Sequence, residues 1–181
     1  GGVAYVSTTL RDDGSIQHIT SKASLKFAPR SKQNINIAKS FNEVCEKTDF
    51  ECYLSENIEL DLWRKYVLIG TTAASTVLFQ KSLGEISRTN NGKSIIMDIH
   101  KQCKNIVFSS GYDIGVEAEN YNLNLITDRN SLIKASMLRD FQAGKKTECE
   151  HILGYLIKLA EKKNIDCNLI KAAHTRIQVG L

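Results

Sequence analysis

The chain has 181 residues, enough to bury one good hydrophobic core together with a smaller appendage. Hydrophobic residues make up 42% of it and charged residues 24%, which is ordinary for a globular protein. The apolar stretches are too short to cross a bilayer, and the first residues lack the basic-then-apolar pattern of a secretory signal. We therefore expect no membrane partner and a cytoplasmic location.

The charge pattern and the cysteine spacing argue against a nucleic-acid-binding protein and against a metal-binding protein. The net charge is +4, but Lys and Arg alternate with Asp and Glu, which is typical of solvated helix faces and not of a nucleic-acid-binding surface. A modest positive excess suits a small anionic substrate. The five cysteines are scattered and form no Cys-x-x-Cys pair, and the four histidines are dispersed. This pattern predicts reduced thiols and no metal site.

The first part of the sequence predicts short strands and one helix. Val, Tyr and Thr predict a strand over residues 2–9, Asp13-Gly14 is a hairpin-turn signal, and residues 16–19 and 23–27 supply further strands. A helix is predicted over residues 34–46, followed by a short strand over 50–54. The apolar stripe expected on that helix consists of Ile37, Ala38, Phe41, Val44 and Cys45.

From residue 57 onward the pattern becomes helical. A helix over residues 58–79 has a broad apolar face with small residues, which predicts a central helix packed closely by its neighbours. Residues 83–86 and 90–92 are expected to interrupt the helices. Further helices are predicted over residues 93–110, near 124–134, over 148–163 and over 168–179.

A helix–turn–helix corner is predicted between residues 136 and 150. Gly144 is expected to end the first, short helix, because glycine adopts positive φ without cost. Thr147 and Glu150 match a capping box, which would put Glu148 in the first turn of the next helix, where the helix dipole favours a carboxylate. Two interpretations stay open from the spacing: two helix caps and a turn, or a hydroxyl at Ser136 and a carboxylate at Glu148 presented to a ligand.

The run Ser-Met-Leu-x-Asp-x-x-x-Gly-x-x-Thr-Glu at residues 136–148 resembles the signature of the 2-dehydropantoate 2-reductases, or ketopantoate reductases. Two other stretches fit the same family in the expected order. Residues 1–8 resemble the strand that closes its nucleotide domain, and residues 59–65 resemble the helix that carries its catalytic lysine. The resemblance implies a mainly α fold: a helical C-terminal domain of the 6-phosphogluconate dehydrogenase type, preceded by a partial β-rich remnant of a Rossmann-like domain. We expect the two domains at residues 1–56 and 57–181.

The resemblance also implies a chemistry, the NADPH-dependent reduction of 2-dehydropantoate or a related 2-oxo acid in pantothenate biosynthesis. By position, Lys65 is then the acid that protonates the forming alkoxide, and Ser136 binds the substrate carboxylate. Glu148 orients Lys65 or contacts the cofactor, and Thr8 aligns with a backbone contact to the cofactor. Without the resemblance, Lys65 would be interpreted as a solvated surface lysine, and Ser136 and Glu148 as helix-terminal residues.

Two positions depart from the family pattern. The family commonly places asparagines one and two turns after the lysine, where this chain has Ile69 and Ala73, which cannot donate those hydrogen bonds. Either the substrate is a different 2-oxo acid, or the protein is a diverged relative. For a diverged relative the alternative function is a non-catalytic helical dimerisation module, and a homodimer is a candidate assembly in both cases.

A glycine-rich phosphate loop is missing from the sequence. No Gly-x-Gly-x-x-Gly follows a predicted strand, although the family carries such a loop near its N-terminus. We interpret the chain as a fragment without the cofactor phosphate loop. The isolated chain is therefore expected to be inactive.

Overall fold

The computed structural model describes residues 1–6, 8–11, 13–18 and 23–180. The chain divides into two compact units, residues 1–62 and 63–181, and each is described by itself below. The division falls within one long helix, whose first turn belongs to the first unit.

The first unit is built from short strands and one helix. Strands β1 (Gly2–Tyr5), β4 (Ser24–Phe27) and β5 (Glu51–Leu54) form a sheet in the order β1-β4-β5. In that sheet β1 and β4 pair antiparallel and β4 and β5 pair parallel. Strands β2 (Thr8–Leu10) and β3 (Ile16–His18) form a separate antiparallel hairpin. Helix α1 (Ile35–Cys45) connects β4 to β5, as a parallel pair requires.

The predicted elements of this unit are confirmed in part. The strand predicted over residues 2–9 is divided into β1 and β2, and Ser7 within that prediction lies outside the described residues, as does Ile19 at the end of the strand predicted over residues 16–19. The hairpin turn is as predicted: Gly14 has a φ of +81°, and the backbone N–H of Ser15 donates to the Asp13 carboxylate at 2.9 Å.

The apolar stripe predicted on α1 is wrong in part. Ala38 and Cys45 are buried, but Ile37 and Val44 keep 69% and 58% of their surface exposed. The sheet beside α1 is narrow, so it covers only the side of the helix that faces Phe27, and periodicity alone cannot reveal how wide the covering surface is.

The second unit is helical. Its described elements are α2 (Ile58–Phe79), α3 (Leu83–Ser87), α4 (Gly92–Ser109), α5 (Gly115–Ile126), α6 (Ser136–Gln142), a π-helical turn (Glu150–Gly154), α7 (Tyr155–Lys163) and α8 (Asn168–Val179). The predicted mainly α class is thereby confirmed. Helices α2 and α8 have the predicted bounds, and α4 lies one residue from its predicted bounds.

Two of the elements predicted for this unit differ in the structure. The helix expected near residues 124–134 lies earlier, at α5, because the Asp113 carboxylate accepts from the Gly115 N–H and an Asx turn at Asp128 stops the chain from continuing helically. Residues 83–86 form a short helix instead of a break. Ser82 and Glu85 make a complete capping box there, and the hydrogen bonds with Ser82 lower the pKa of Glu85 to about 2.

The core of the second unit forms where α2, α4, α7 and α8 pack together. Its fully buried side chains include Val67, Ala74, Val77, Ile99, Ile106, Leu153, Leu156 and Ile170. At Gly70 an added Cβ would lie 2.8 Å from Cδ1 of Leu156, so glycine permits the close packing that the small residues of α2 predict. None of the helices in the described part of the chain has the length and apolar character that crossing a membrane requires.

Candidate functional site

The helix α2 carries Lys65 in a partly buried position. Burial lowers the pKa of its ammonium below the ordinary value of 10.5, because the charged form loses hydration. One turn further along, Ile69 is also partly exposed, and it belongs to none of the hydrophobic clusters among the described residues. An ammonium group and an apolar side chain are thus spaced i, i+4 on one face of α2.

The threonines on the same face of α2 are committed to the helix itself. The hydroxyl of Thr72 donates to the Leu68 carbonyl and that of Thr76 to the Thr72 carbonyl, each at 2.8 Å. Both residues are buried. Because each hydroxyl proton is bonded to a carbonyl of α2 itself, neither is available to a ligand beside Lys65.

An aromatic cluster fixes α2 around Lys65. Trp63 stacks on Tyr112 with ring centroids 5.1 Å apart, and it meets Tyr66 edge-on at 5.7 Å. The hydroxyl of Tyr66 donates to the Ile152 carbonyl at 2.7 Å, and burial raises the pKa of Tyr66. The residues on either side of Lys65 therefore contact other elements of the second unit, and these contacts fix this part of α2 in place. These tyrosines were not picked out from the sequence, because their partners lie far away in the chain.

Ser136 is the first residue of α6 and is exposed. The N–H of the preceding Ala135 donates to the hydroxyl oxygen of Thr76 on α2 at 3.4 Å, while Met137 and Leu138 are buried. The buried pair anchors the short helix and leaves the serine on its open side. As predicted, α6 ends close to Gly144, whose φ is +64°.

Glu148 is exposed. The sequence predicts it in the first turn of the next helix, but it lies just before that helix and caps it through its backbone carbonyl. Its carbonyl accepts from the N–H groups of His151 and Ile152 at 3.1 and 3.0 Å. The predicted capping box is wrong: the Thr147 hydroxyl accepts from the Cys149 N–H at 3.4 Å, and the Glu150 carboxylate lies 2.9 Å from Nε2 of His174. Glu150 cannot reach back to Thr147 because it is held on α8.

The π-helical turn explains that rearrangement. At Gly154 an added Cβ would stand 2.7 Å from Oε2 of Glu150, so the glycine leaves room for the carboxylate to cross the turn toward His174. A cavity of about 300 Å³ opens beside this pair. It is lined by Glu150, Gly154, Ile157, Lys158, Glu161, Lys171, His174 and Thr175. This cavity is not predictable from the residue pattern, because a π-helical turn leaves the apolar periodicity of the helix almost unchanged.

The predicted site residues thus lie on or next to three separate elements of the second unit, with one exception. The segment before Ser136 is bonded to Thr76, and the π-helical turn after Glu148 is bonded to Tyr66, the neighbour of Lys65. Thr8, the exception, is exposed in the hairpin of the first unit, paired with His18. Across the described residues no three His, Cys, Asp or Glu side chains are placed to hold a metal ion.

A family model and a relative of known name both point to the ketopantoate reductases. Residues 57–179 match the model for the C-terminal part of the ketopantoate reductases PanE/ApbA. An uncharacterized oxidoreductase of Bacillus subtilis, YkpB, is 25% identical over 179 residues, which cover 99% of this chain and 59% of that protein. A 2-dehydropantoate 2-reductase of Archaeoglobus fulgidus is 23% identical over 167 residues, covering 92% and 55%. The chain therefore spans less than two thirds of the length of these relatives.

Solved structures show the same fold. A PanE/ApbA family ketopantoate reductase of Ralstonia eutropha superposes with a TM-score of 0.81 at 18% identity, over 98% of this chain and 57% of the other. A D-mandelate dehydrogenase in complex with NADH gives a TM-score of 0.82 at 15% identity, over 98% and 60%. A dimeric ketopantoate reductase of Staphylococcus aureus gives 0.80 at 13% identity, over 98% and 60%.

Proposed function

The chain belongs to the ketopantoate reductase PanE/ApbA family, and from that premise we propose that it is the substrate-binding, proton-donating part of an NADPH-dependent reductase of 2-oxo acids. The substrate class proposed is 2-dehydropantoate or a related 2-oxo acid, and with 2-dehydropantoate itself the reaction would belong to pantothenate biosynthesis. Lys65 is the residue on which the proposal rests, because it combines the family's lysine position with partial burial on a helix fixed by its neighbours.

The chemistry of Lys65 follows from its charge and burial. Reduction of a 2-oxo acid turns a carbonyl oxygen into a hydroxyl, which requires a proton at that oxygen as negative charge develops. A lysine ammonium both attracts the developing alkoxide and donates the proton. Burial lowers the pKa of Lys65 toward the working pH. The Lys65 ammonium therefore donates its proton more readily than a solvated lysine does.

Ser136 and Glu148 are proposed to complete the site. The exposed hydroxyl of Ser136, at the start of α6, is assigned to the substrate carboxylate. Glu148 is assigned either to orient Lys65 or to contact the cofactor, and Thr8 to a backbone contact with the cofactor. Support comes from α2, which bonds both to the segment before Ser136 and to the π-helical turn after Glu148.

The cofactor is proposed for the complete protein and not for this chain by itself. When bound, NADPH would supply the hydride. The connections from β4 to α1 and from β5 to α2 contain no glycine and therefore offer no close backbone approach for a pyrophosphate. These connections do not fit the dinucleotide phosphates, so the part of the reaction assigned to this chain is substrate binding and proton transfer, with Thr8 and Glu148 as candidate contacts to the rest of the cofactor.

The side chain of the substrate is proposed to be less polar than that of 2-dehydropantoate. Ile69 is partly exposed one turn after Lys65, whereas Ala73 is enclosed in the core and is not available to a ligand. An apolar wall leaves a substrate hydroxyl without a partner and favours an alkyl or aryl group. The same fold occurs in a D-mandelate dehydrogenase, so it is compatible with such a substrate.

A kinetic test uses the full-length natural polypeptide that contains this sequence. NADPH oxidation is measured with 2-dehydropantoate and with 3,3-dimethyl-2-oxobutanoate, in which a hydrogen replaces the hydroxyl group. We expect Lys65→Ala to lower kcat/KM by roughly 10²- to 10⁴-fold, the usual contribution of a positioned general acid. Lys81→Ala is the matched control, because Lys81 is an exposed lysine paired with Glu85, and its kcat/KM should be unchanged.

The pH profile gives an independent readout. Because the pKa of Lys65 is lowered, the wild-type kcat/KM should decline on the alkaline side before the ordinary lysine value of 10.5 is reached. Equal rates for wild type and Lys65→Ala would remove Lys65 from the mechanism. No turnover of any 2-oxo acid by the full-length protein would favour the non-catalytic dimerisation module instead.

A further inference from the structure

Two thiols meet where α1 ends and β5 begins. Cys45 is the last residue of α1, and Cys52 is the second residue of β5. Cys45 is buried in a cluster with Phe27 and Ala38, and Cys52 packs against that same cluster. Both cysteines also line one cavity of about 220 Å³. They are therefore neighbours in the fold as well as in the sequence.

The connection between them is fixed at both ends. The N–H and the hydroxyl of Thr48 donate to the Cys45 carbonyl at 2.9 and 2.8 Å, and the N–H of Phe50 donates to the Thr48 hydroxyl at 3.3 Å. On the far side, Cys52 pairs with Leu25 of β4 in the parallel register. The turn thus brings the two side chains together without further ordering of the chain, which removes most of the entropic cost of joining them.

The charge of the cavity lining determines which kind of oxidant can approach Cys45 and Cys52. Burial raises the pKa of the Cys52 thiol, and its hydrogen bond with Cys45 raises it further. The cavity is lined by the exposed carboxylates of Glu46, Asp49 and Glu51. Negative charge disfavours both a thiolate and the approach of an anionic reagent. A small neutral oxidant meets no such electrostatic barrier.

The other cysteines are placed differently. Cys103, Cys149 and Cys167 are buried in the core of the second unit. Burial raises the pKa of Cys103 to about 12 and that of Cys149 to about 11. The pKa of Cys52 is raised too, so it is access that separates the three core thiols from the pair at the open cavity.

We propose that Cys45 and Cys52 are a redox-active pair that hydrogen peroxide converts into a reversible intramolecular disulfide. One thiolate attacks a peroxide oxygen, the O–O bond breaks, and a sulfenic acid and hydroxide form. The second thiol then displaces the hydroxyl from the sulfenic sulfur, forming the S–S bond. In total, two thiols and one peroxide give one disulfide and two waters, and a small-molecule dithiol reverses the reaction by exchange. The disulfide would tie the end of α1 to β5.

Peptide mapping tests the proposal on the folded chain. The chain is treated with hydrogen peroxide at mildly alkaline pH, alkylated under denaturing conditions and digested with trypsin. Cleavage after Lys39, Lys47 and Arg64 puts the two cysteines in separate peptides, 40–47 and 48–64. The expected product is this linked pair, with the free thiols falling from five to three and returning to five after treatment with dithiothreitol.

Variants and a second oxidant make the outcome decisive. Cys45→Ser and Cys52→Ser should each abolish the linked peptides, whereas Cys149→Ser should retain them. Oxidised glutathione, an anionic disulfide, should act more slowly than peroxide at matched oxidising equivalents because of the acidic lining. A wild-type product that carries added oxygen without a link, or a link through any other cysteine, would overturn the proposal.

Discussion

The two units of this chain bury their apolar side chains to very different degrees. In the second unit the core residues drawn from α2, α4, α7 and α8 are almost completely enclosed. In the described part of the first unit, buried residues form small clusters around Val3 and Phe27, while Leu10, Ile37 and Val44 stay 72%, 69% and 58% exposed. Because hydrophobic stabilisation scales with the apolar area removed from water, the second unit should be much the more stable.

In the first unit, polar contacts supplement the small apolar clusters. The buried carboxylate of Asp61 accepts from Nζ of Lys26 at 3.2 Å and from the hydroxyl of Ser55 at 2.6 Å. The backbone nitrogen of Gly1 lies 2.8 Å from the Ala28 carbonyl oxygen. A buried polar group contributes little net stability when it is satisfied, but it costs more when its partner is removed. The contrast teaches that one chain can combine a region held by packing with a region held by a few hydrogen bonds.

Of the substitutions considered, Gly92→Ala in the second unit should lower the free energy of unfolding most. An added Cβ would overlap the backbone carbonyl oxygen of Ile86 and lie 2.5 Å from Oγ1 of Thr89, so the backbone itself must move. We expect a loss of about 4 kcal/mol or more in the free energy of unfolding, among the largest values seen for single substitutions. Urea unfolding followed by the fluorescence of Trp63, the only tryptophan, measures it.

Gly144→Ala is the control for that substitution. Gly144 has a φ of +64° but no atom within 4 Å of an added Cβ, so only backbone strain of about 1 kcal/mol is expected. If both alanine variants unfolded at the same urea concentration, the close contact at Gly92 would not be the cause.

Truncation of one core residue in each unit tests the comparison directly. Leu138→Ala removes a fully buried side chain of the second unit and should cost about 3 kcal/mol. Val3→Ala in the first unit should cost about 1 kcal/mol, because it removes fewer carbon atoms from a small cluster that can relax. Amide hydrogen exchange of α4 and of β4 reports the two units separately. Equal losses in both would contradict the proposed difference in packing.

The polar contacts of the first unit are tested by Asp61→Ala. Removing the carboxylate leaves the hydroxyl of Ser55 without its partner, and we expect a loss of about 1–2 kcal/mol. Glu59→Ala, in the same first turn of α2, is the matched control. Its ion pair with Arg30 is exposed and should contribute less than about 0.5 kcal/mol. Hydrogen exchange of β4 distinguishes the two variants. A Glu59→Ala variant as unstable as Asp61→Ala would mean that burial is not decisive here.

The smallest expected effect is a pH dependence confined to the second unit. His100 is buried between α4 and α5, 3.4 Å from Nδ2 of Asn122, and burial lowers its pKa below 6.5. The unfolded chain then binds a proton that the folded chain does not, so stability is complete above pH 6.5 and falls as the pH drops below it. The slope from this one group is at most about 1.4 kcal/mol per pH unit.

His100→Gln separates this contribution from those of other titrating groups. The variant should be less stable at neutral pH but should lose less stability between pH 6.5 and 5 than the wild type. Urea unfolding at a series of pH values measures both slopes. If the two slopes were the same, another group would be responsible for the acid sensitivity.

The sequence by itself determined the helical class, the bounds of α2 and α8, and the family. Each of these depends on local information: apolar residues at helical spacing over a long segment, or a run of residue types read along the chain. The roles of Lys65, Ser136, Glu148 and Thr8 also come from that run of residues, and they stay predictions.

The side-chain partners and the exposed side of α1 were decided only by the tertiary structure. The partner of Glu150 is His174, the partner of Tyr66 is the carbonyl of Ile152, and the packing partner of Cys52 is the cluster that contains Cys45. The first pair lies 24 positions apart and the second 86, and neither residue type nor spacing specifies such contacts. Side-chain partners depend on which elements pack together, and packing is a property of the whole fold. For the same reason the exposed side of α1 could not be foreseen, since amphipathic periodicity shows which face is apolar and not how much of it a neighbour covers.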